Sequence, residues 1–508
     1  MLRNRSFAGK YKIVGVVLAA LLFVPISAAA QSTTLDMEEV LRLVLERNAG
    51  VQIADALERQ AEALHRQSLA DTKPRIDLQM DPLYGYSTGV LTGLEYVPPK
   101  PADNKTDVSL GLSLSQALPT AGIASLSLAN TMSLTSYPDP DPTTISQNPS
   151  ATFMLSQPVW VNKKLVDLRQ LSAARRVSEI NWRKATDGSL EARNGNIYAA
   201  FGLYTQVIGL RRNIAYLEKS LELADQNLRQ VRINLDAGRA SETDLLQLEI
   251  LIGLQREALL ENRYSLLQVE QGLANALGLE IGLSSYEFIY TFQAPALPPD
   301  TAELVVEART NNPAVRQDRL SVEQAEAQSI LSGRTDAPNL SLALTLLPQY
   351  EGATTPTELG ESFSSFFSEG TQLDWSLSIG LEVPLYNGGK AAYREQVNSA
   401  SERIARETLG ASLRDVENTY EALILRQSII QDRIELLEKN IELKTRSAAD
   451  EQRKLDVGLG TPLRVESARL ELLQVENELW QAQADLFLNS LDLLNLSGRS
   501  LQEALSAR

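Results

Sequence analysis

Residues able to do acid-base, nucleophilic or metal chemistry are few in this chain and poorly placed for it. His65 is the only histidine and there is no cysteine, so a histidine or thiolate metal centre lacks its ligands and a serine–histidine relay lacks its partners. His65 lies in a Gln- and Ala-rich helical stretch and reads as a solvated surface residue. Asn387-Gly388-Gly389-Lys390 resembles a phosphate-loop fragment, but Pro384 stands where the first glycine belongs and Ala391 where Ser or Thr belongs. It reads better as a strand-to-helix turn. Carboxylate pairs are plentiful, yet none lies in apolar sequence that would drive two pKa values apart. No catalytic residue, metal site or cofactor is expected. Glu242 and Asp244, with Arg464 and Glu466, lie just past two glycine turns. An opposite-charge pair taken out of water is costly to break, whereas charges at helix ends are commonly solvated and contribute little. Both readings are open.

The N-terminal residues set the expected compartment. Arg3, Arg5, Lys10 and Lys12 precede an apolar run of 14 residues, Ile13 to Ile26, and then Ser27-Ala28-Ala29-Ala30. That pattern reads as a secretory signal over 1–30. The run is shorter than the roughly 20 residues a spanning helix needs, and no other stretch comes close. The full chain carries 48 basic and 64 acidic residues. Loss of the four leader cations takes its net charge of −16 to −20, which argues against nucleic-acid binding. An acidic lumen would favour cations, although an acidic solvated surface has the same composition.

Self-comparison indicates an internal duplication. Asn48-Ala49-Gly50-Val51 matches Asn312-Pro313-Ala314-Val315, Gln60-Ala61-Glu62-Ala63 matches Gln324-Ala325-Glu326-Ala327, and Pro74 matches Pro338, all 264 residues apart. The offset is 226 between Gln157-Pro158-Val159-Trp160 and Val383-Pro384-Leu385-Tyr386. It is 220 between Leu235-Asp236-Ala237-Gly238 and Leu455-Asp456-Val457-Gly458, and between Gly278 and Gly498. The fall from 264 to 226 leaves 38 additional residues in the first half.

Each half then reads helix, strands, long helix, turn, helix. Leu210, Ile214, Leu217, Leu221, Ala224, Leu228, Val231 and Leu235 form a heptad seam. Ile430, Ile434, Leu437, Ile441, Ala448 and Leu455 repeat it, and Leu245, Leu248, Ile252, Leu259, Leu266, Val269 and Leu273 carry it on a return helix. The expected division is a first repeat over 31–300 and a second over 301–508. The first holds a helix at 37–71, strands within 76–160 and a helical hairpin at 163–278. The second holds a helix at 301–335, strands within 340–385 and a hairpin at 389–497. If continuous, 163–236 would extend about 110 Å, and 37–71 about half that. Between the helices, apolar residues alternate with polar ones, as at Ile76, Leu78 and Met80 or Val108, Leu110, Leu112 and Leu114. Alternating runs of about ten residues in an exported chain fit a membrane β-barrel, and a soluble sandwich gives the same alternation. Tyr84, Tyr86, Tyr96, Trp160, Tyr350, Trp375 and Tyr386 fit interfacial girdles or turns equally.

Together, the repeated order, the cysteine-free exported chain, the Gln157-Pro158 and Val383-Pro384 junctions and the Val457-Gly458-Leu459-Gly460-Thr461 turn resemble the TolC family of outer-membrane efflux proteins. The resemblance spans essentially the whole mature chain. It implies an α+β fold in which three copies close one outer-membrane β-barrel, continued into the periplasm as a tunnel of long antiparallel coiled-coil helices. It implies a passive exit duct, not an enzyme, for small molecules or for polypeptides of the type I secretion kind. The implied partners are two further copies of the chain, outer-membrane lipid, a periplasmic adaptor protein and, through it, an inner-membrane pump. The adaptor would dock on the turns at Gly238, Arg239, Gly458, Leu459 and Gly460. In the family, carboxylates near these turns line a closed aperture; Asp244 occupies such a position, with Glu242 and Glu466 beside it, and Arg464 departs from the acidic residue familiar there. Three copies of Asp244 beside three of Arg464 would lock the entrance. A coiled-coil scaffold or tether without a lumen is the rival reading.

A second departure lies in the strands. The family's usual count is four per copy, whereas the additional residues, 107–135, read as an extra hairpin of two strands around Pro119-Thr120-Ala121-Gly122, with Pro/Asp-rich loops at 97–105 and 137–149 expected outside the membrane. Either the hairpin joins the barrel, giving 18 strands in a trimer in place of 12, or it folds over the barrel mouth.

Overall fold

Residues that recur between the two halves mark where helices start and stop. The computed structural model describes residues 33–87, 103–120, 122–136, 144–158, 160–161, 164–165, 173–279, 283, 286–289, 301–334, 338–348 and 373–506. The expected leader at 1–30, most of the loops at 97–105 and 137–149, residues 166–172 of the hairpin expected from 163, Tyr96 and Tyr350 lie outside these, and at 164–165 a two-residue strand stands where that hairpin was expected to be helical. The elements run β1 (Thr33–Leu35), α1 (Met37–Arg47), α2 (Ala49–Ala70), β2 (Arg75–Ser87), β3 (Asp103–Ala117), β4 (Ile123–Ser136), β5 (Thr144–Pro158), the two-residue strands β6 (Trp160–Val161) and β7 (Lys164–Leu165), and α3 (Ala173–Asp236). They continue with α4 (Glu242–Ala276), β8 (Tyr286–Phe288), α5 (Thr301–Asn311), α6 (Pro313–Arg334), β9 (Asn339–Pro348), β10 (Leu373–Glu382), α7 (Lys390–Asp456), α8 (Pro462–Leu496) and α9 (Leu501–Ser506).

Two of the expected helices are divided. The stretch 37–71 breaks at Asn48, whose side chain accepts from Val51 N at 3.1 Å. The stretch 301–335 breaks at Asn312, whose side chain accepts from Ala314 N and Val315 N at 3.0 and 3.3 Å. An asparagine oxygen satisfies amides that a new helix leaves unpaired. The glycines do the same work at the other end. Gly278 and Gly498 both have positive φ. Leu279 N donates to Ala274 O, and Arg499 N to Leu494 O, so each closes its helix with the same backbone bond.

The chain divides into two units, one of residues up to Val44 with Ala200–Gln293 and Lys444–Asn477, the other of Leu45–Ala199, Ala294–Leu443 and the residues from Glu478. In the first unit β1 pairs in parallel with β8. Buried Tyr204 brings its hydroxyl within 2.9 and 2.8 Å of the carbonyls of Leu35 and Ile289, which share its one proton. Arg211 lies 4.2 Å from the centre of the Phe288 ring and pairs with Glu270 at 2.6 Å. The α3–α4 hairpin buries Ile252, Leu259 and Leu273 of the expected seam. Polar rungs cross it at Arg263–Glu218, Asn213–Asn262, Gln255–Ser220 and Arg232–Glu249.

The second unit holds a junction of helices and the sheet. Leu304, Tyr420 and Leu493 form one core, and Ala308, Val315 and Val416 another. Asn194, 1% exposed, donates to Asn495 Oδ1 and Arg499 O and accepts from Leu501 N, so three of its bonds are made inside the fold. The sheet is six-stranded and antiparallel, in the order β10-β9-β5-β4-β3-β2. The strands of the extra hairpin, β3 and β4, lie between β2 and β5. Among the described residues, no helix is long and apolar enough to cross a membrane.

The caps predict a graded response to alanine. A Cβ at Gly498 would lie 2.2 Å from Asn311 O, whereas at Gly238 it would meet nothing. Gly238→Ala should cost about 1–2 kcal/mol, the left-handed penalty alone. Gly498→Ala should cost more than about 3 kcal/mol because backbone must also move. Thermal denaturation of the purified variants gives the order.

Candidate functional site

The two helical turns differ in what they leave exposed. After α3, Gly238 takes φ +65°, Arg239 N donates to Asn234 O at 2.7 Å, and the chain reverses into α4. After α7, Gly458 takes φ +77° and Leu459 N and Gly460 N both donate to Lys454 O. Gly460 passes so close to α7 that a Cβ would lie 2.8 Å from Leu455 N. Thr461 then caps α8, accepting weakly from Arg464 N at 3.4 Å, with Pro462 as the first helical residue. The second turn presents Val457 and Leu459 at 68% and 80% exposure. The first presents Ala237 and Arg239 at the equivalent places.

Asp244 belongs to the start of α4. Ser241 caps this helix, accepting from Asp244 N at 3.1 Å, while the Asp244 carboxylate accepts from Ser241 N at 3.0 Å and Ser241 Oγ at 2.7 Å. These bonds, the hydroxyl's first and the backbone amide's second, hold the Asp244 pKa below its ordinary 3.8. The spacing Ser241-Glu242-Thr243-Asp244 is the signal for such a reciprocal cap. Glu242 and Arg464 are exposed, and neither side chain makes an ion pair among the described residues. Glu466 pairs with Arg469 at 2.8 Å. Asp244 and Arg464 are therefore not joined in one copy.

Arg469 also donates to Gln452 at 3.0 Å, bracing α8 against α7. With Glu466, Leu470 and Leu473 it faces Lys219, Glu222 and Leu223 of α3 across a groove of about 550 Å³ that reaches Pro462. Sequence periodicity gave no signal for this groove. Among the described residues, no three His, Cys, Asp or Glu side chains converge as a metal site would require. His65 stacks on Trp182 with ring centres 5.4 Å apart. The largest pKa displacement belongs to Tyr198, pushed up to about 12 by burial and then by the Asp492 carboxylate, to which it donates at 2.9 Å. That pair lies in the second unit, in the helical junction. Gly388 and Gly389 have positive φ, as a turn into α7 requires.

Comparison with known proteins bears on this arrangement. Residues 304–499 match the outer membrane efflux protein family. Outer membrane efflux protein BepC of Brucella suis biovar 1 (strain 1330) is 23% identical over 316 residues, 61% of this chain, and the match spans 64% of that relative's length. The fold is shared with the outer membrane protein VceC of Vibrio cholerae, at TM-score 0.60, 15% identity and coverage of 91% of this chain and 96% of that one. It is shared also with the Campylobacter jejuni CmeC outer membrane channel, at TM-score 0.63, 12% identity and coverage of 93% and 88%. The efflux-protein match takes in the second turn, Val457–Thr461, and Arg464 and Glu466.

The Asp244 cap predicts a pH dependence with a definite sign. Because the folded carboxylate has a lowered pKa, its contribution is complete above the ordinary aspartate value and is lost as pH falls through the folded one. Hydrogen-exchange protection at Ser241 and Asp244 should hold at neutral pH and fall only below 3.8. Asp244→Asn should remove that dependence.

Proposed function

We propose that this chain is one subunit of a homotrimeric outer-membrane efflux duct. In this reading strands from three copies close a single barrel, their helices continue it as a periplasmic tunnel, and the chain itself catalyses nothing. The observation that carries it is the sheet. One face is largely apolar, with much of it exposed, and among the described residues the sheet ends at β2 on one side and β10 on the other. Lipid accommodates such a face only if no edge is left unpaired. β2 and β10 run in opposite directions in the sheet, so the edge of one copy meets that of the next as an antiparallel pair. The match of residues 304–499 to the outer membrane efflux protein family and the fold shared with VceC and CmeC support the same assignment and an outer-membrane location.

The helices carry surfaces that suit other copies. On α7, Leu425, Ile429, Leu436 and Leu443 are exposed at steps of four and seven. On α4, Leu246, Ile250 and Leu254 are exposed at steps of four. Such stripes fit coiled-coil packing against another helix. The two halves are proposed to descend from one duplicated unit, since their matched residues occupy the same cap positions.

At the periplasmic end, the exposed Val457 and Leu459 with Gly238, Arg239, Gly458 and Gly460 are the proposed docking surface for an adaptor protein, through which an inner-membrane pump delivers cargo. The groove beneath them, between α3 and α8, offers a charged rim and a leucine floor to a partner helix. Asp244 of one copy and Arg464 of another are proposed to close the aperture, with Glu242 and Glu466 contributing to its charge. Single-particle imaging of protein extracted from the outer-membrane fraction should give a hollow three-fold particle; a monomer or a solid rod would overturn the duct. In planar bilayers Arg464→Glu should raise single-channel conductance several-fold, and exchanging the charges, Asp244→Arg with Arg464→Asp, should restore the closed level. Unchanged conductance in the single variant would assign these side chains to solvent.

A further inference from the structure

We propose that the extra hairpin is barrel wall: β3 and β4 add two staves to each copy, and three copies close an 18-stranded barrel. This rests on the trimeric reading above. The evidence is the register. Side chains on one face of a sheet line up across paired strands, and here the rows run unbroken through the hairpin. Ile76 of β2 is level with Leu114 of β3, Leu126 of β4, Phe153 of β5, Leu344 of β9 and Leu377 of β10. The next row is Leu78, Leu112, Leu128, Ala151, Leu346 and Trp375.

The opposite face is equally continuous. Asp77 is level with Ser113, Ser127, Thr152, Thr345 and Ser376. Every charged side chain described on the six strands falls on this face: Arg75, Asp77, Asp81, Lys105, Asp107, Asp374 and Glu382. A one-residue slip of β3 would put Lys105 and Asp107 among the leucines, and one of β4 would put serines there. Asn130, level with Leu110, and Thr106, level with Leu134, are polar positions on the apolar side, and Gln116 and Gln157 lie towards its end.

A hairpin folded over a barrel mouth would leave β2 and β5 paired with each other. Instead Arg75–Ser87 pairs along its whole length with Asp103–Ser115, and β4 pairs with β5 from Ile123 to Thr135. The two strands intervening between β2 and β5 hold them about 14 Å apart at ordinary spacing. Adding strands in twos also keeps the closing β10–β2 contact antiparallel. Barrel diameter grows roughly linearly with strand number, and about 16–18 strands leave an aqueous channel. This barrel would be about half as wide again as one of 12 strands. Its lining of Ser, Thr and Gly, with five carboxylates against two cations, suits bulky hydrated solutes and favours cationic ones.

The cysteine-free chain makes the test direct. In the full-length protein in lipid vesicles, single cysteines at Leu112→Cys and Leu128→Cys face hydrocarbon in this proposal, and those at Ser113→Cys and Ser127→Cys face water. A charged maleimide should label the serine-site cysteines at least about tenfold faster, since the reactive thiolate does not form in hydrocarbon. Spin-labelled lipid should quench a fluorophore at 112 and 128 only. Equal labelling at all four sites, as on a hairpin lying over the mouth, would overturn the proposal. So would a three-fold particle with 12 strands, an outcome that leaves the trimeric duct intact. The absence of any three-fold particle would remove both.

Discussion

Peptide groups along the outer edges of β2 and β10 need hydrogen-bond partners, and the leucine-rich face they border needs cover other than water. No single copy meets both needs. In water the edges are solvated but the apolar face is not covered; in lipid the face is covered but the edges are stranded, at several kcal/mol for each unsatisfied group. Closure with further copies meets both at once. Chain-level features follow from that constraint: strands in even number, charge confined to one face, and helices bearing apolar stripes that their own chain leaves open. Leu78 and Trp375, 72% and 68% exposed in one copy, lie on the face that the proposed barrel would turn to lipid.

Helix ends are held by local backbone chemistry, while the helix flanks are held by distributed polar rungs. Asn48, Asn312, Gly278 and Gly498 stop or start helices at fixed residues regardless of what packs outside. The rungs between α3 and α4, such as Arg263–Glu218 and Asn213–Asn262, are individually weak and exposed. They fix register between two helices whose shared apolar seam is narrow, and they leave the remaining apolar residues free to face a neighbour. A hairpin built this way keeps its own alignment while its outer surface is available for assembly.

Much of this was legible because the deciding signals are periodic. Alternation of period two found β2 to β5, β9 and β10, and the shift in repeat offset placed the additional residues between Pro74 and Pro158, where alternation then marked the extra hairpin. Periodicity failed where one residue overrides a continuing pattern. The apolar spacing of 37–71 runs on through Asn48, so a helix break that depends on one buried side-chain bond left no trace in the pattern, although its repetition at Asn312 was visible as a match. The three-residue pairing of β1 with β8 joins segments some 250 residues apart, and Asn194 finds partners about 300 residues away; neither has a local signature. At the turns, the charged residues were located from sequence, but Asp244 was read for its charge alone, whereas its spacing from Ser241 already announced a cap.

That double duty bears on how an aperture at these turns would work. A carboxylate wholly dependent on a partner across an interface would be stranded when the interface opens, and opening would carry the cost of an unpaired buried charge. Asp244 is not in that position: Ser241 N and Oγ would hold it in either state, and Arg464, exposed and without an ion pair among the described residues, would return to solvent. Each Asp244–Arg464 link would then be a solvated pair, individually weak. In the proposed gate, three such links would make a threshold small enough for a docking partner to overcome by its own contacts at Val457 and Leu459. A gate of this kind is set by the cap that keeps its anion satisfied when the lock is undone.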